Sequence, residues 1–272
     1  MKNLLVFALA TLASVQALPS QIQLSSNFEP FVIGGQDAKV GEFPWQLSLQ
    51  FFGFAGRWEH VCGAVLFSSK YALTAAQCIY SGSTYRLAAG MHQLSNTSSA
   101  TIVDIASFKK HEKYNDGSAA FSNDIAVITL ASEIKFTDRI KPAVLPADNR
   151  NKFVNESCVI SGWGRAGYST ILPDTLRKGT VRVISNAECQ TRVDTMAKIT
   201  DGQMCIFDPS MYTSACDGDN GGPVTCKVAG KDVVAGVSSW VIASSGGNCL
   251  PTYPSAYTRF SEYLDWIKMN TP

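Results

Sequence analysis

Only three histidines, His60, His92 and His111, occur in the 272-residue chain, so few imidazoles are on hand for proton transfer or metal ligation. No two cysteines stand in a C-x-x-C pair, which leaves a zinc or redox site without its usual spacing. Charge of one sign is lacking as well. The formal net charge is +1 and no basic run is present, which argues against a nucleic-acid partner or a polybasic membrane surface. Long apolar runs are missing too. The one at Leu4–Ala13 falls well short of the ~20 residues that a bilayer-crossing helix needs. There is no internal repeat, low-complexity tract or linker, and helical periodicity is scarce. What remains is 46% apolar and 17% charged, enough to bury a sizeable core as one all-β domain or two small ones.

Residues 1–17 start with Lys2, continue through the apolar run and end Val15-Gln16-Ala17, the pattern of a secretory signal cut after Ala17. Residues 18–31 are polar and hold no cysteine, as a short pro-segment would be, leaving 32–272 as the folded domain. Export makes the eight cysteines candidates for disulfides, because extracellular redox conditions keep such bonds oxidised. Parity alone leaves the pairing open. Asn96-Thr97-Ser98 and Asn155-Glu156-Ser157 are sequons for N-linked sugar, and both lie in polar stretches.

Short strand-like runs separated by turn residues follow, at Gln46–Phe51, Cys62–Phe67, Ile125–Leu130, Cys158–Trp163, Thr180–Ile184 and Val233–Trp240, a spacing that suits antiparallel barrels. One helical face is predicted at the end, from Phe260, Tyr263, Leu264 and Ile267. The stretch Cys216-Asp217-Gly218-Asp219-Asn220-Gly221-Gly222-Pro223-Val224 reads as a strained loop, with glycine at Gly218, Gly221 and Gly222 for turn conformations barred to other residues. With serine in place of Asn220 it would be the nucleophile loop of a chymotrypsin-like serine protease. The chain resembles that family from Val32 onward.

The resemblance implies two packed six-stranded antiparallel Greek-key barrels with a C-terminal helix, and a site between them. It implies the disulfides Cys62–Cys78, Cys158–Cys226, Cys189–Cys205 and Cys216–Cys249. It also implies an activation pair, in which a cut before Val32 frees an ammonium that enters the protein beside Asp219. The residue before Val32 is Phe31, so a trypsin-like cut does not fit, and a chymotrypsin-like cut or none remains open.

Peptide hydrolysis by a serine enzyme needs a base, a carboxylate that orients it, and donors for the oxyanion. In Leu73-Thr74-Ala75-Ala76-Gln77-Cys78 the base's position holds Gln77, an amide that does not accept a proton near neutral pH. Asp124 occupies the carboxylate position, and Ser239 matches the family serine that hydrogen-bonds it. Asn220 fills the nucleophile position and supplies none. Backbone N–H groups of Gly218 and Asn220 retain the makings of an oxyanion-type pocket. None of the three histidines stands at the base's position, and Ser214, Ser238 and Ser239 do not sit on the glycine-braced turn.

By the same resemblance Ser214 forms the floor of a specificity pocket. Val241 and Ser255 stand where large-pocket relatives have glycine, so a shallow slot is expected, with Asp217 adding negative charge at its mouth. Met91–Asn96 lacks the carboxylates of the family's calcium loop, and no calcium or other cofactor is expected. The leading expectation is a secreted, non-catalytic protease homologue that binds extracellular proteins such as proteases, inhibitors or cascade components, as a monomer. The alternatives are a working endopeptidase of elastase- or chymotrypsin-like specificity with atypical catalytic groups, and a secretory structural or storage protein.

Overall fold

The computed structural model describes residues 33–53, 55–165 and 171–272. The expected signal, pro-segment, Val32 and the Phe31–Val32 bond lie outside those residues. A short first strand, β1 (Gln36–Asp37), precedes six longer ones: β2 (Gln46–Phe52), β3 (Trp58–Leu66), β4 (Tyr71–Thr74), β5 (Tyr85–Ala89), β6 (Thr101–Lys110) and β7 (Ala126–Leu130). These six close an antiparallel barrel in the order β2-β3-β4-β7-β6-β5. Because β7 returns beside β4 and β5 beside β2, the connections are of Greek-key type.

The second barrel is built from β8 (Ser157–Gly162), β9 (Arg177–Ile184), β10 (Gln203–Phe207), β11 (Pro223–Val228), β12 (Lys231–Trp240) and β13 (Ser255–Arg259). The order β9-β10-β13-β12-β11-β8 is closed by pairing of β8 with β9, and β1 attaches outside, on β9. Full closure removes the exposed edges that an open sheet would present. The strand runs read from sequence all fall on strands. Seven of the described strands had no strand-like run singled out, among them β4 and β10, whose residues are buried throughout and so lack the alternation that marks a half-buried strand.

Each barrel encloses its own apolar cluster, one around Leu47, Leu49 and Ile128, the other around Ile160, Val183 and Tyr257. A third cluster joins the two. It combines Trp45, Val65 and Ile125 with Trp163, Val234 and Val237, and is capped by Phe260, Tyr263, Trp266 and Ile267. The C-terminal face therefore differs from the expectation. A 3-10 turn at Phe260–Glu262 precedes a short helix, which rotates Trp266 into the core and leaves Leu264 only half-buried.

One helix, α1 (Asn186–Val193), went unforeseen because only Cys189 and Val193 on it are buried. Its signal was there. Ser185-Asn186-Ala187-Glu188 has the form of a capping box, and Ser185 Oγ accepts the Glu188 N–H at 3.0 Å.

The disulfides join Cys62–Cys78, Cys158–Cys226, Cys189–Cys205 and Cys216–Cys249, the pairs implied by the family resemblance, and no described cysteine is free.

Candidate active site

Three elements converge where the barrels meet. Gln77 lies on a 3-10 turn (Ala76–Cys78) just after β4, Asp124 just before β7, and Asn220 just before β11. The barrels are clasped at this point: the Gly63 N–H donates to the Asn220 carbonyl at 2.8 Å, and Thr74 Oγ1 donates to the Gly63 carbonyl at 2.8 Å. Such close approach excludes side chains. A Cβ on Gly63 would stand 2.5 Å from Gly222 Cα, and one on Gly221 would run into Thr74 Oγ1 and the Gly63 carbonyl. Gly218 and Gly221 have φ of 97° and 75°, the left-handed region that glycine tolerates. Gly222 is different from the expectation, since its φ is not positive and it is needed for room, a Cβ there standing 2.8 Å from the Asp219 carbonyl. Gly63 was missed because nothing local in β3 signals a neighbour so far along the chain.

Asp124 is buried, 1% exposed, and accepts three hydrogen bonds at its carboxylate. Oδ1 takes the Gln77 backbone N–H at 2.9 Å, while Oδ2 takes Gln77 Nε2 and Ser239 Oγ, each at 2.6 Å. Burial raises its pKa above the usual carboxylate range against the opposing pull of these donors. Gln77 Nε2 donates its second hydrogen to the Ser239 carbonyl at 2.6 Å. Asn220 Nδ2 donates to that same carbonyl at 2.7 Å. Two side-chain amides thus converge on one backbone oxygen, and both hydrogens of Gln77 Nε2 are committed. Gln77 Oε1 and Asn220 Oδ1, by contrast, accept nothing among the described residues.

The loop that carries Asn220 is held from behind. His60 Nε2 donates to the Gly218 carbonyl at 2.9 Å, the tautomer a carbonyl acceptor requires, and Nδ1 accepts from Ser48 Oγ at 2.8 Å. Burial drives the His60 pKa down to about 4, so this histidine is a neutral brace. Asp219 is buried and accepts the Gly164 N–H at 2.8 Å and the Cys216 N–H at 3.0 Å. Burial pushes its pKa up to about 6. The N–H groups of Gly218 and Asn220 meet no acceptor among the described residues, and so remain available to a ligand.

Of the pocket residues, Ser214 is buried, its N–H donates to the Ile33 carbonyl at 3.3 Å, and its Oγ has no partner among the described residues. Val241 packs against Ile33 and the Cys216–Cys249 bridge, and Ser255 is buried on β13. Asp217, expected to add negative charge at the mouth, is exposed, and its carboxylate pairs with Arg165 at 2.9 Å. The partner went unnoticed because no local spacing links two residues on separate loops. His111 lies against Tyr263 and Trp266 with Nδ1 accepting the Lys113 N–H, and His92 Nδ1 is buried. Ser214, Ser238 and Ser239 are 4%, 2% and 0% exposed. Asn96 and Asn155 are both exposed.

Two closed antiparallel barrels with an aspartate, a glycine-braced loop and a strand-end serine at their junction define the architecture of the chymotrypsin-like endopeptidases. The chain belongs to the trypsin family, whose profile, described as Trypsin, matches residues 32–267. It is 46% identical over 244 residues, 88% of this chain and 100% of the relative, to the fibrinolytic enzyme isozyme C of Lumbricus rubellus. Trypsin-1 of Astacus astacus is 35% identical over 250 residues, 88% of this chain and 99% of its own. Chymotrypsin-C of Mus musculus is 32% identical over 245 residues, 89% of each.

Proposed function

We propose that this protein is a secreted, non-catalytic member of the trypsin family that holds protein partners at its cleft without cutting them, as a regulator, decoy or inhibitor in an extracellular proteolytic or immune cascade. The observation that carries this reading is the double amide contact on the Ser239 carbonyl. A serine enzyme needs an imidazole between Asp124 and a hydroxyl, so that the proton leaving the hydroxyl is taken up and later returned. Gln77 fills the gap as a donor only, and the Asn220 amide lacks the hydroxyl that would attack. Loss of base or nucleophile each costs on the order of a millionfold in turnover in a comparable enzyme. The open Gly218 and Asn220 N–H groups and the intact supporting shell favour retention of a peptide carbonyl, which is binding without chemistry. The apolar leader and four disulfides support export into an oxidising compartment.

A second reading, a working endopeptidase, is favoured by the relatives, which are named as a fibrinolytic enzyme, a trypsin and a chymotrypsin. Purified protein, intact and after a chymotrypsin-like cut, should neither hydrolyse peptides with alanine, valine or phenylalanine at the cleaved position nor be labelled by a fluorophosphonate. Turnover that disappears in Asp124→Asn would establish the second reading instead. The paired change Gln77→His with Asn220→Ser is expected to introduce labelling and slow cleavage, because Asp124, Ser239 and the two N–H groups already stand in place.

A further inference from the structure

Asn220-Gly221 is the one Asn-Gly pair in the chain. Asparagine is thermolabile, and a following glycine leaves no Cβ to shield its backbone nitrogen from the side-chain amide next to it. That nitrogen and that amide are the two groups that react in deamidation, and the fold holds both. The Gly221 N–H donates to the Ser238 carbonyl at 2.8 Å, and the Ser238 N–H donates to the Gly222 carbonyl at 2.8 Å, which ties the turn to β12. The Asn220 amide is held through Nδ2 on the Ser239 carbonyl at 2.7 Å. On its other side the Asn220 backbone carbonyl accepts the Gly63 N–H at 2.8 Å, and Thr74 and the Gly63 carbonyl flank Gly221 closely. Asn220 is only half-buried, so water reaches the residue while its reacting atoms are tied down.

We propose that Asn220 is a gated deamidation site, an amide for as long as the loop stays clasped between the barrels and a carboxylate once the loop has opened. In the open loop the Gly221 nitrogen gives its proton to water and bonds to Asn220 Cγ, the Cγ–Nδ2 bond breaks, and ammonia leaves with a proton drawn from water. The five-membered imide so formed takes up one water, which opens it at either carbonyl to aspartate or to the isomer whose backbone runs through the former side chain. While the loop is closed, the side chain must leave the Ser239 carbonyl and the Gly221 N–H must leave the Ser238 carbonyl before the two can meet. Those are hydrogen bonds given up together, so reaction requires local opening. Either product removes the Nδ2 donor from the Ser239 carbonyl, and the isomer adds one carbon to the backbone ahead of Gly221. The change therefore weakens the clasp that delayed it.

The test is to hold the full chain in warm, mildly alkaline buffer made with heavy-oxygen water, folded in one sample and unfolded by guanidinium with its disulfides reduced in another, and to follow the peptide carrying Asn220 by mass. In the unfolded chain Asn220 should lose its amide with uptake of heavy oxygen, and Gly221→Ala, read in the same denaturant where folding is not needed, should slow that loss severalfold. In the folded protein the loss should be slower than in the unfolded chain by at least about tenfold, as a closed loop requires. Thr74→Val, which removes the hydroxyl that braces the Gly63 carbonyl, should raise both the folded-state rate and hydrogen exchange at the Gly221 amide, in the same proportion. An unfolded chain that keeps Asn220 intact overturns the site. Equal rates in the folded and unfolded samples overturn the gate. Faster exchange at Gly221 in Thr74→Val with no change in deamidation overturns the assignment of the gate to this clasp.

Discussion

Asp124 shows at the scale of one residue how a buried carboxylate is held by its neighbours. Its carboxylate is buried with neutral donors in place of an imidazole, and Gln77 provides two of its three hydrogen bonds. Gln77→Leu removes one and leaves the Ser239 carbonyl with fewer donors, so a loss of about 1–3 kcal/mol is expected in urea denaturation. His60 and Asp219 respond to pH in opposite senses. The folded state holds the His60 pKa near 4, below its ordinary 6.5, so the unfolded chain binds more protons and stability falls as pH drops through that window. The folded state holds Asp219 near 6, above 3.8, so its contribution falls as pH rises from about 4 to about 6. Each slope is at most about 1.4 kcal/mol per pH unit, and the two oppose. Between pH 4 and 6 the stability of Asp219→Asn should therefore rise more steeply with pH than that of the parent protein, as urea denaturation at several pH values would show. Proton NMR of the intact protein should find one imidazole that stays neutral down to about pH 4.

At the scale of elements, the glycines that let β3 meet the Asn220 loop are more constrained than those in open turns. Gly63→Ala meets backbone at Gly222 Cα and should cost about 1–3 kcal/mol, with release of the loop seen by amide exchange. Gly230→Ala, where nothing stands within 4 Å but φ is +79°, should cost about 1 kcal/mol. Ser185→Ala should cost a similar amount through the lost cap on α1. These elements also mark how far the sequence could be read. The six predicted runs were legible because β-branched and aromatic residues stood between turn residues. β4 and β10 were not, being buried on every side, and β6 is mostly exposed, with only Val103 fully buried. The three site positions were legible since each sits in a contiguous motif. The Ser239 carbonyl, His60 on Gly218 and Arg165 on Asp217 were not, because those partners are joined only by the fold.

At the scale of the whole molecule, the apolar cluster shared by both barrels and capped by Trp266 and Ile267 makes them one cooperative body, so a single unfolding transition is expected by circular dichroism and by fluorescence alike. The Cys158–Cys226 bridge closes a 68-residue separation, and its reduction should remove about 2–5 kcal/mol. The two amides resting on one backbone oxygen bear on rescue. Under the proposed non-catalytic reading, histidine at 77 alone finds no hydroxyl to activate, and serine at 220 alone finds no base to deprotonate it. Neither single change is then expected to yield turnover, so a gain of peptidase activity takes both changes at once.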